Sequence, residues 1–314
     1  MTSILLIAGM VVLILIGAPI ALAMIVLPTV YILATGAAPL LTIPHQMYEA
    51  VASFPLVAIP FFMLTGELMN SSTVTERIID LSRQLVGRLR GGLAQVNIVA
   101  SMFFAGMNGS AVADTATIGS ILIPAMKRAG YAPAFAAGIT AVGSTIGGII
   151  PPSIGMIVLA SAANLSVGAL FAGGILPGIA IGLLLMLTTY VIAVRRQYER
   201  GKDRFKVLAV LRALLRAGFA LIVPIVLVGG ILGGWFSSIE SGAITACVTL
   251  LIGAVAYRSI SFAEVAGAIG RTLRLSASVF IIIAAAGPFS WLLTRLGAID
   301  LLQHWLLGYA HSPI

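Results

Sequence analysis

The sequence predicts an all-α polytopic membrane protein, and three observations carry that prediction. Hydrophobic residues fill 60% of the 314 positions and charged residues only 9%, where a soluble domain carries about 25% charge. Apolar stretches long enough to cross about 30 Å of hydrocarbon recur along the chain. They are continuous and do not alternate, which argues for helices and against a strand-built barrel.

The apolar segments run over 4–16, 20–34, 53–69, 93–104, 111–126, 134–163, 171–194, 217–232, 239–257 and 276–293. The opening "MTSILLIAGMVVLILIGAP" lacks a basic leader and a cleavage site, and reads as the first span and not as a signal peptide. Basic residues gather between the segments: Arg77, Arg83, Arg88 and Arg90; Lys127 and Arg128; a rich run from Arg195 to Arg216; and Arg258, Arg271 and Arg274. The loops 39–49, 164–168 and 233–238 contain no Lys or Arg. One threading places every basic cluster in the cytoplasm and the amino terminus on the periplasmic side. The net charge of +8 follows from these flanks. No aromatics are interleaved with them, so nucleic acid is not implied. The one cysteine, Cys247, leaves no partner for a disulfide within this chain and is expected to pack in an apolar helix.

That threading makes 93–126 leave and return on the same side. The limb 93–104 has 12 residues, about 18 Å of helix, too short to span. A re-entrant hairpin is expected, with "GMNGSAVADTATIGS" (106–120) carrying its tip at mid-membrane depth. Non-helical backbone survives there only when protein or a wet cavity covers it. Next comes "GSTIGGIIPPSIG" (143–155). Pro151 and Pro152 have no amide hydrogen, so the carbonyls of Gly147 and Gly148 lose their helical donors and the helix breaks. Two interrupted elements in adjacent segments point to a transporter binding site.

The tip offers side-chain oxygens from Asn108, Ser110, Thr115 and Thr117, with Gly106 and Gly109 freeing the backbone. The break offers Ser144, Thr145, the carbonyls of Gly147 and Gly148, and Ser153. An oxygen-only set without sulfur or imidazole suits a hard cation, and with at most one carboxylate nearby Na⁺ fits better than Ca²⁺. The ion-binding group is therefore Asn108, Gly109, Ser110, Ser144, Thr145, Gly147 and Gly148. The helices that start after each interruption point positive ends at the same place, where an anionic group can sit. Ser153, Asp114 and Thr117 are assigned to that substrate side. No transition metal and no cofactor beyond Na⁺ as coupling ion is implied. Small residues also allow helices to pack closely, but two interruptions together favour a site. Asp114, the only acid of the hairpin, costs about 2.5–3.5 kcal/mol at a bilayer centre if charged. Proton carrier, ion ligand, helix cap and satisfied structural acid all stay open for it. Glu67 and Glu240 are expected at an interface in solvated or capping roles. His45, His304, His311, Trp235, Trp291 and Trp305 are expected at external or interfacial positions.

An internal repeat organises the rest. Paired spans recur at 4–34 around "GAP" and at 217–257 around "GGWFSS", followed by "AIPFFMLTGELM" (58–69) and "AAGPFSWLLTRLG" (285–297), which share a Pro-Phe step. Amphipathic stretches follow each: "IIDLSRQLVG" from Ile78 and "AIDLLQHWLLG" from Ala298. The first is Arg-rich and reads cytoplasmic; the second reads external. That is the charge signature of inverted-topology repeats. A second hairpin and a second broken helix are expected to follow Ile314, so the second repeat reads as incomplete. The expected organisation is scaffold helices (1–75), an amphipathic arm helix on the inner membrane surface (76–92), half of a transport domain (93–165), a connecting span with a basic cytoplasmic segment (166–216), and the start of a second repeat (217–314).

With these motifs in place, the chain resembles the large membrane subunit of TRAP transporters, the tripartite ATP-independent periplasmic family (DctM-like). The resemblance rests on "FPLVAIPFFMLTGELM" (54–69), "LVGRLRGGLAQVNIVASMFFAGMNGSAVADTATIGSILIPAMKRAGY" (85–131), "STIGGIIPPSIGMIV" (144–158) and "LFAGGILPGI" (170–179). It weakens after Arg196, where "GWFSSIESGAITA" departs from the family's Thr-Pro-Thr-Glu pattern while keeping Glu240. The resemblance implies a Na⁺-driven, elevator-type importer of organic acids such as C4-dicarboxylates, in the bacterial inner membrane. It implies two partners, a periplasmic substrate-binding protein and a small four-span membrane subunit. The alternative is a related Na⁺/dicarboxylate or anion carrier that needs no binding protein. Enzyme chemistry is not expected: no second intramembrane carboxylate accompanies Asp114, and no Ser–His pair lies at membrane depth.

Overall fold

The computed structural model describes residues 2–199, 207–298 and Gln303. Among them lie thirteen α-helices and no strand, so the chain is an all-α polytopic membrane protein. Four helices are long and apolar enough to cross a bilayer: Val167–Arg195, Val207–Leu232, Ser238–Ala256 and Phe262–Arg295. The chain forms two compact units, one of residues 54–274 and one of residues 1–53 with 275–314.

In the smaller unit, α1 (Thr2–Leu15) and α2 (Ile20–Thr35) form an antiparallel pair. Gly9 makes room for Leu27 of α2. α3 (Thr42–Val51) was not expected, because 39–49 reads as a loop. Its Ile43 is buried, and a side chain at Gly287 would strike the Gln46 carbonyl. Gly287 belongs to α13 (Phe262–Arg295), so close packing stabilises a helix whose polar composition disguises it. The helix α13 also begins earlier than expected and takes Arg271 and Arg274 into its length. The amphipathic stretch expected from Ala298, with His304, Trp305 and His311, lies outside the described residues except for Ala298 and Gln303.

The larger unit opens with α4 (Ala58–Asn70) and the arm helix α5 (Val74–Val86). α5 buries Val74, Ile78 and Leu81 and exposes Glu76, Asp80 and Arg83. It is more than a solvated connector. The Arg77 guanidinium stands 3.9 Å over the Tyr257 ring and donates to the Arg216 carbonyl at 3.1 Å. The Tyr257 hydroxyl donates to the same carbonyl. Glu67 differs from its expected solvated role, since it pairs with Arg271 at 2.6 Å; the two lie 204 positions apart, which no local pattern reveals. Glu240 caps α12 (Ser238–Leu251) in a reciprocal box with Ser237. Cys247 does not pack as expected; it is exposed on α12.

The centre of this unit is α6 (Gly92–Asn108). It runs 17 residues, about 26 Å, and so outlasts the 12-residue limb expected from the apolar run, because Ala105, Gly106 and Met107 continue the helix. It is buried on nearly every side: Val96, Ala100, Phe104 and Met107 join one core with Val74, Ile78, Ile118 and Val223, and Ala94, Ile98 and Ala105 join another with Met126, Ala136 and Ile146. α6 also carries polar anchors. Gln95 donates to the Met186 carbonyl of α10 (Val167–Arg195) at 2.9 Å. Asn97 donates to the Thr140 hydroxyl at 2.7 Å, tying α6 to α8 (Pro133–Ser144).

Replacing Thr140 with Val keeps the shape and removes the acceptor that the buried Asn97 amide has among the described residues. The expected loss is about 1–3 kcal/mol, read as a lower thermal unfolding midpoint in detergent. An unchanged midpoint would mean that this contact does not hold α6 to α8.

Candidate functional site

The helix α6 ends at Gly109, whose φ of 62° is left-handed, a conformation that glycine adopts without strain. Ser110 then turns extended and caps α7 (Ala111–Arg128), its hydroxyl accepting from the Ala113 amide. Here the chain makes a helical hairpin. The second interruption follows the same logic in a different sequence. α8 tightens into a 3-10 turn at Thr145–Gly148, a cis Pro151–Pro152 bond follows, and Ser153 caps α9 (Ile154–Ala163) by accepting from the Met156 amide. The Ser153 hydroxyl donates to the Gly148 carbonyl at 2.8 Å. One serine thus bridges both sides of the gap that the prolines open.

The two interruptions meet. The Ile154 amide, at the start of α9, points to the Gly109 carbonyl at 3.4 Å. A β-carbon at Gly109 would come within 2.5 Å of the Pro152 carbonyl oxygen, and one at Gly147 within 3.4 Å of the Ala111 amide. Gly109, Gly147, Pro151, Pro152 and Ser153 are all buried. Two serine-capped helix N-termini, those of α7 and α9, therefore meet there, beside the exposed Gly148, and both bring amides and positive helix ends to it.

Of the residues expected at the ion site, this geometry brings together Gly109, Ser110, Gly147 and Gly148, and it adds Ser153. Asn108 closes α6, but its side chain lies outside the described residues. Thr145 is exposed, its hydroxyl donating to the Val142 carbonyl. Thr117 is two turns along α7 and lines a separate cleft with Asn70, Ser72, Thr75 and Glu76. Ser144 and Asp114 form a different group, one turn below the tip. Asp114 is fully buried, and the hydroxyls of Ser144 and of Ser101 on α6 lie beside its carboxylate. None of them reaches hydrogen-bond geometry: both Asp114 oxygens, Ser101 Oγ, Ser144 Oγ and Asn97 Oδ1 are buried without a partner. Sequence reading missed Asn97 and Ser101. The available signal was their spacing of four, which puts two polar residues on one face of an otherwise apolar helix.

Comparison with known proteins supplies the family. Residues 7–314 match the profile of the tripartite ATP-independent periplasmic transporter, DctM component. The sialic acid TRAP transporter large permease protein SiaM of Vibrio cholerae is 32% identical over 95% of this chain and 70% of its own length. The 2,3-diketo-L-gulonate TRAP transporter large permease protein YiaN of Escherichia coli is 37% identical over 80% of this chain and 59% of its own length. The C4-dicarboxylate TRAP transporter large permease protein DctM of Pseudomonas aeruginosa is 35% identical over 85% of this chain and 62% of its own length. The chain thus spans less than two thirds of the latter two relatives.

Changing Gly109 to Ala forces a β-carbon onto the Pro152 carbonyl in a left-handed conformation, and the closure between the two tips opens. Hydrogen–deuterium exchange over 106–112 should rise about tenfold or more, the equivalent of roughly 1.4 kcal/mol of local opening. Exchange equal to that of the unsubstituted protein would show that the contact does not close the site.

Proposed function

The chain belongs to the DctM component family of tripartite ATP-independent periplasmic transporters, and from that premise we propose that it couples Na⁺ entry to the uptake of an organic acid. Family membership makes it a multi-pass membrane component of a transporter and not an enzyme. The finer reading rests on one observation: the hairpin tip and the helix break, 35 to 45 positions apart in the chain, close on each other through Gly109 and the Pro152 carbonyl.

Two features of that closure support Na⁺. The tip ligands are oxygens of Ser110 and of the glycine backbone at Gly109, Gly147 and Gly148, a neutral set that suits a singly charged hard ion. Each carbonyl oxygen has two lone pairs, so the Gly148 carbonyl can accept from Ser153 and still face an ion. Two further features support an anionic substrate. The N-termini of α7 and α9 favour negative charge, and the relatives are named as transporters of sialic acid and C4-dicarboxylates. Asn108 remains in the proposed lining of the ion space from its chain position beside Gly109, whereas Thr145 is exposed and Thr117 lines a separate cleft, so neither is kept in it.

The hairpin reads as re-entrant in this proposal, and the paired spans with their Pro-Phe followers, Pro60-Phe61 and Pro288-Phe289, as inverted repeats of an elevator-type carrier. The full assembly contains a periplasmic substrate-binding protein and a small four-span membrane subunit. It sits in the bacterial inner membrane, with the amino terminus of this chain periplasmic by the distribution of basic residues.

The test is uptake of a radiolabelled organic acid by the full-length protein with its two partners in proteoliposomes, titrated with Na⁺. Ser110→Ala should raise the Na⁺ concentration for half-maximal uptake about tenfold, the cost of one lost ligand. An unchanged Na⁺ dependence in a correctly assembled complex would remove Na⁺ from the tip.

A further inference from the structure

Five buried oxygen atoms on three helices lie without hydrogen-bond partners: Asn97 Oδ1 and Ser101 Oγ of α6, both carboxylate oxygens of Asp114 on α7, and Ser144 Oγ of α8. All four residues are fully buried. We propose that they form a second cation site, deeper than the tip, for one desolvated monovalent ion of the size of Na⁺.

Proximity is the first support. The Ser101 and Ser144 hydroxyls lie beside the Asp114 carboxylate. A β-carbon built on Gly143, the neighbour of Ser144, would stand 3.6 Å from Ser101 Oγ and 3.7 Å from Asn97 Oδ1. The four side chains therefore face one shared space, and the glycine keeps that space open.

Orientation is the second support. Asn97 has a choice of which end to present, and its amide nitrogen is committed outward to Thr140. The carbonyl end is left for the cluster. The Thr140 hydroxyl in turn donates to the Ala136 carbonyl, which fixes it as the acceptor for Asn97 and locks the amide in this sense. Every group turned to the space thus offers lone pairs, and its two hydroxyl hydrogens are free to swing away.

Charge is the third support. A buried carboxylate needs a compensating partner, and no cationic side chain among the described residues supplies one to Asp114. A single carboxylate with three neutral oxygens balances one positive charge. No group of three or more His, Cys, Asp or Glu residues among the described residues is placed to hold a metal, so a divalent ion lacks the carboxylates that it ordinarily recruits. This site is independent of the tip reading, since it shares none of the Ser110, Gly109, Gly147 and Gly148 ligands.

The experiment is ²²Na⁺ binding to the purified full-length protein in complex with its small membrane subunit, with choline as the inert cation. Asp114→Asn, which keeps the shape and loses the charge, should bind one Na⁺ fewer than the unsubstituted protein. Ser101→Ala, the milder change, should weaken one ion about tenfold while leaving the thermal midpoint in choline unchanged. If both variants bind the same number of Na⁺ ions with the same affinity as the unsubstituted protein, the site is occupied by water or a proton and the proposal falls. Ser110→Ala provides the contrast. A loss confined to that variant upholds the tip and sinks this site, and a loss confined to Asp114→Asn and Ser101→Ala does the reverse.

Discussion

Backbone that leaves a helix inside an apolar chain must find its partners within the protein, and this one constraint organises the larger unit. The chain breaks helical continuity twice, at Gly109 and at Gly148–Pro152. Each break is covered by the other. Serine caps settle the amides on the far side of each gap, the Ser153 hydroxyl settles a carbonyl on the near side, and the Ile154 amide reaches the Gly109 carbonyl. The close approach works only because Gly109 and Gly147 have no side chain. α6 is buried almost all round for the same reason: it is the post against which the hairpin, the broken helix and α10 must all be held.

What sequence reading captured follows from how local each signal is. The Pro151-Pro152 step removes two donors wherever it occurs, so the break at Gly148 was legible from five letters. Gly109 reads as freeing the backbone, and it does take the left-handed turn, but Ser110 reads as an ion ligand and its cap of α7 was not anticipated. Signals that depend on tertiary packing were not legible. α3 reads as a polar loop because its helix is stabilised by the close approach of Gly287 and not by an apolar run. α6 was read five residues short of its full span, since its first residue and its last four are glycine, alanine, methionine and asparagine and do not look like a membrane span. Glu67 finds Arg271 only when α13 is brought alongside, and Cys247 faces outward because α12 packs through Ser241, Thr245 and Thr249 instead. Within the candidate site, Asn97 and Ser101 share one face of an otherwise apolar helix through their spacing of four, a signal that sequence reading passed over.

The two polar groups at the core differ in kind. At the tips the serine hydroxyls are engaged: Ser110 Oγ accepts from the Ala113 amide, and Ser153 Oγ accepts from the Met156 amide and donates to the Gly148 carbonyl. One turn below, the oxygens around Asp114 are left unpaired. Native proteins leave few such groups, because each costs about 1–3 kcal/mol. The five lie beside a closed core of Ile98, Ala105 and Ile146.

The arm helix sets how these parts can move. Val74 and Ile78 of α5 share a core with Phe104 and Met107 of the first hairpin limb and with Ile118 and Leu122 of the second. Arg77 fixes the same helix to Tyr257 and to the Arg216 carbonyl of α11 (Val207–Leu232). Sliding the hairpin past α5 would forfeit the dispersion contacts of that core, since even a gap of 0.5–1 Å loses about a quarter to a half of each contact. Breaking the Arg77 anchor would strip a cation from an aromatic face, a loss of roughly 0.5–2 kcal/mol, and leave a carbonyl with one donor fewer. α5 is also packed on α11: Leu81 shares a core with Ala213 and Ala217, and Ala220 and Val223 join Val74 and Ile78 in the other. Movement of α5 against either neighbour therefore opens buried apolar contacts, and the Arg77 anchor adds to the α11 side.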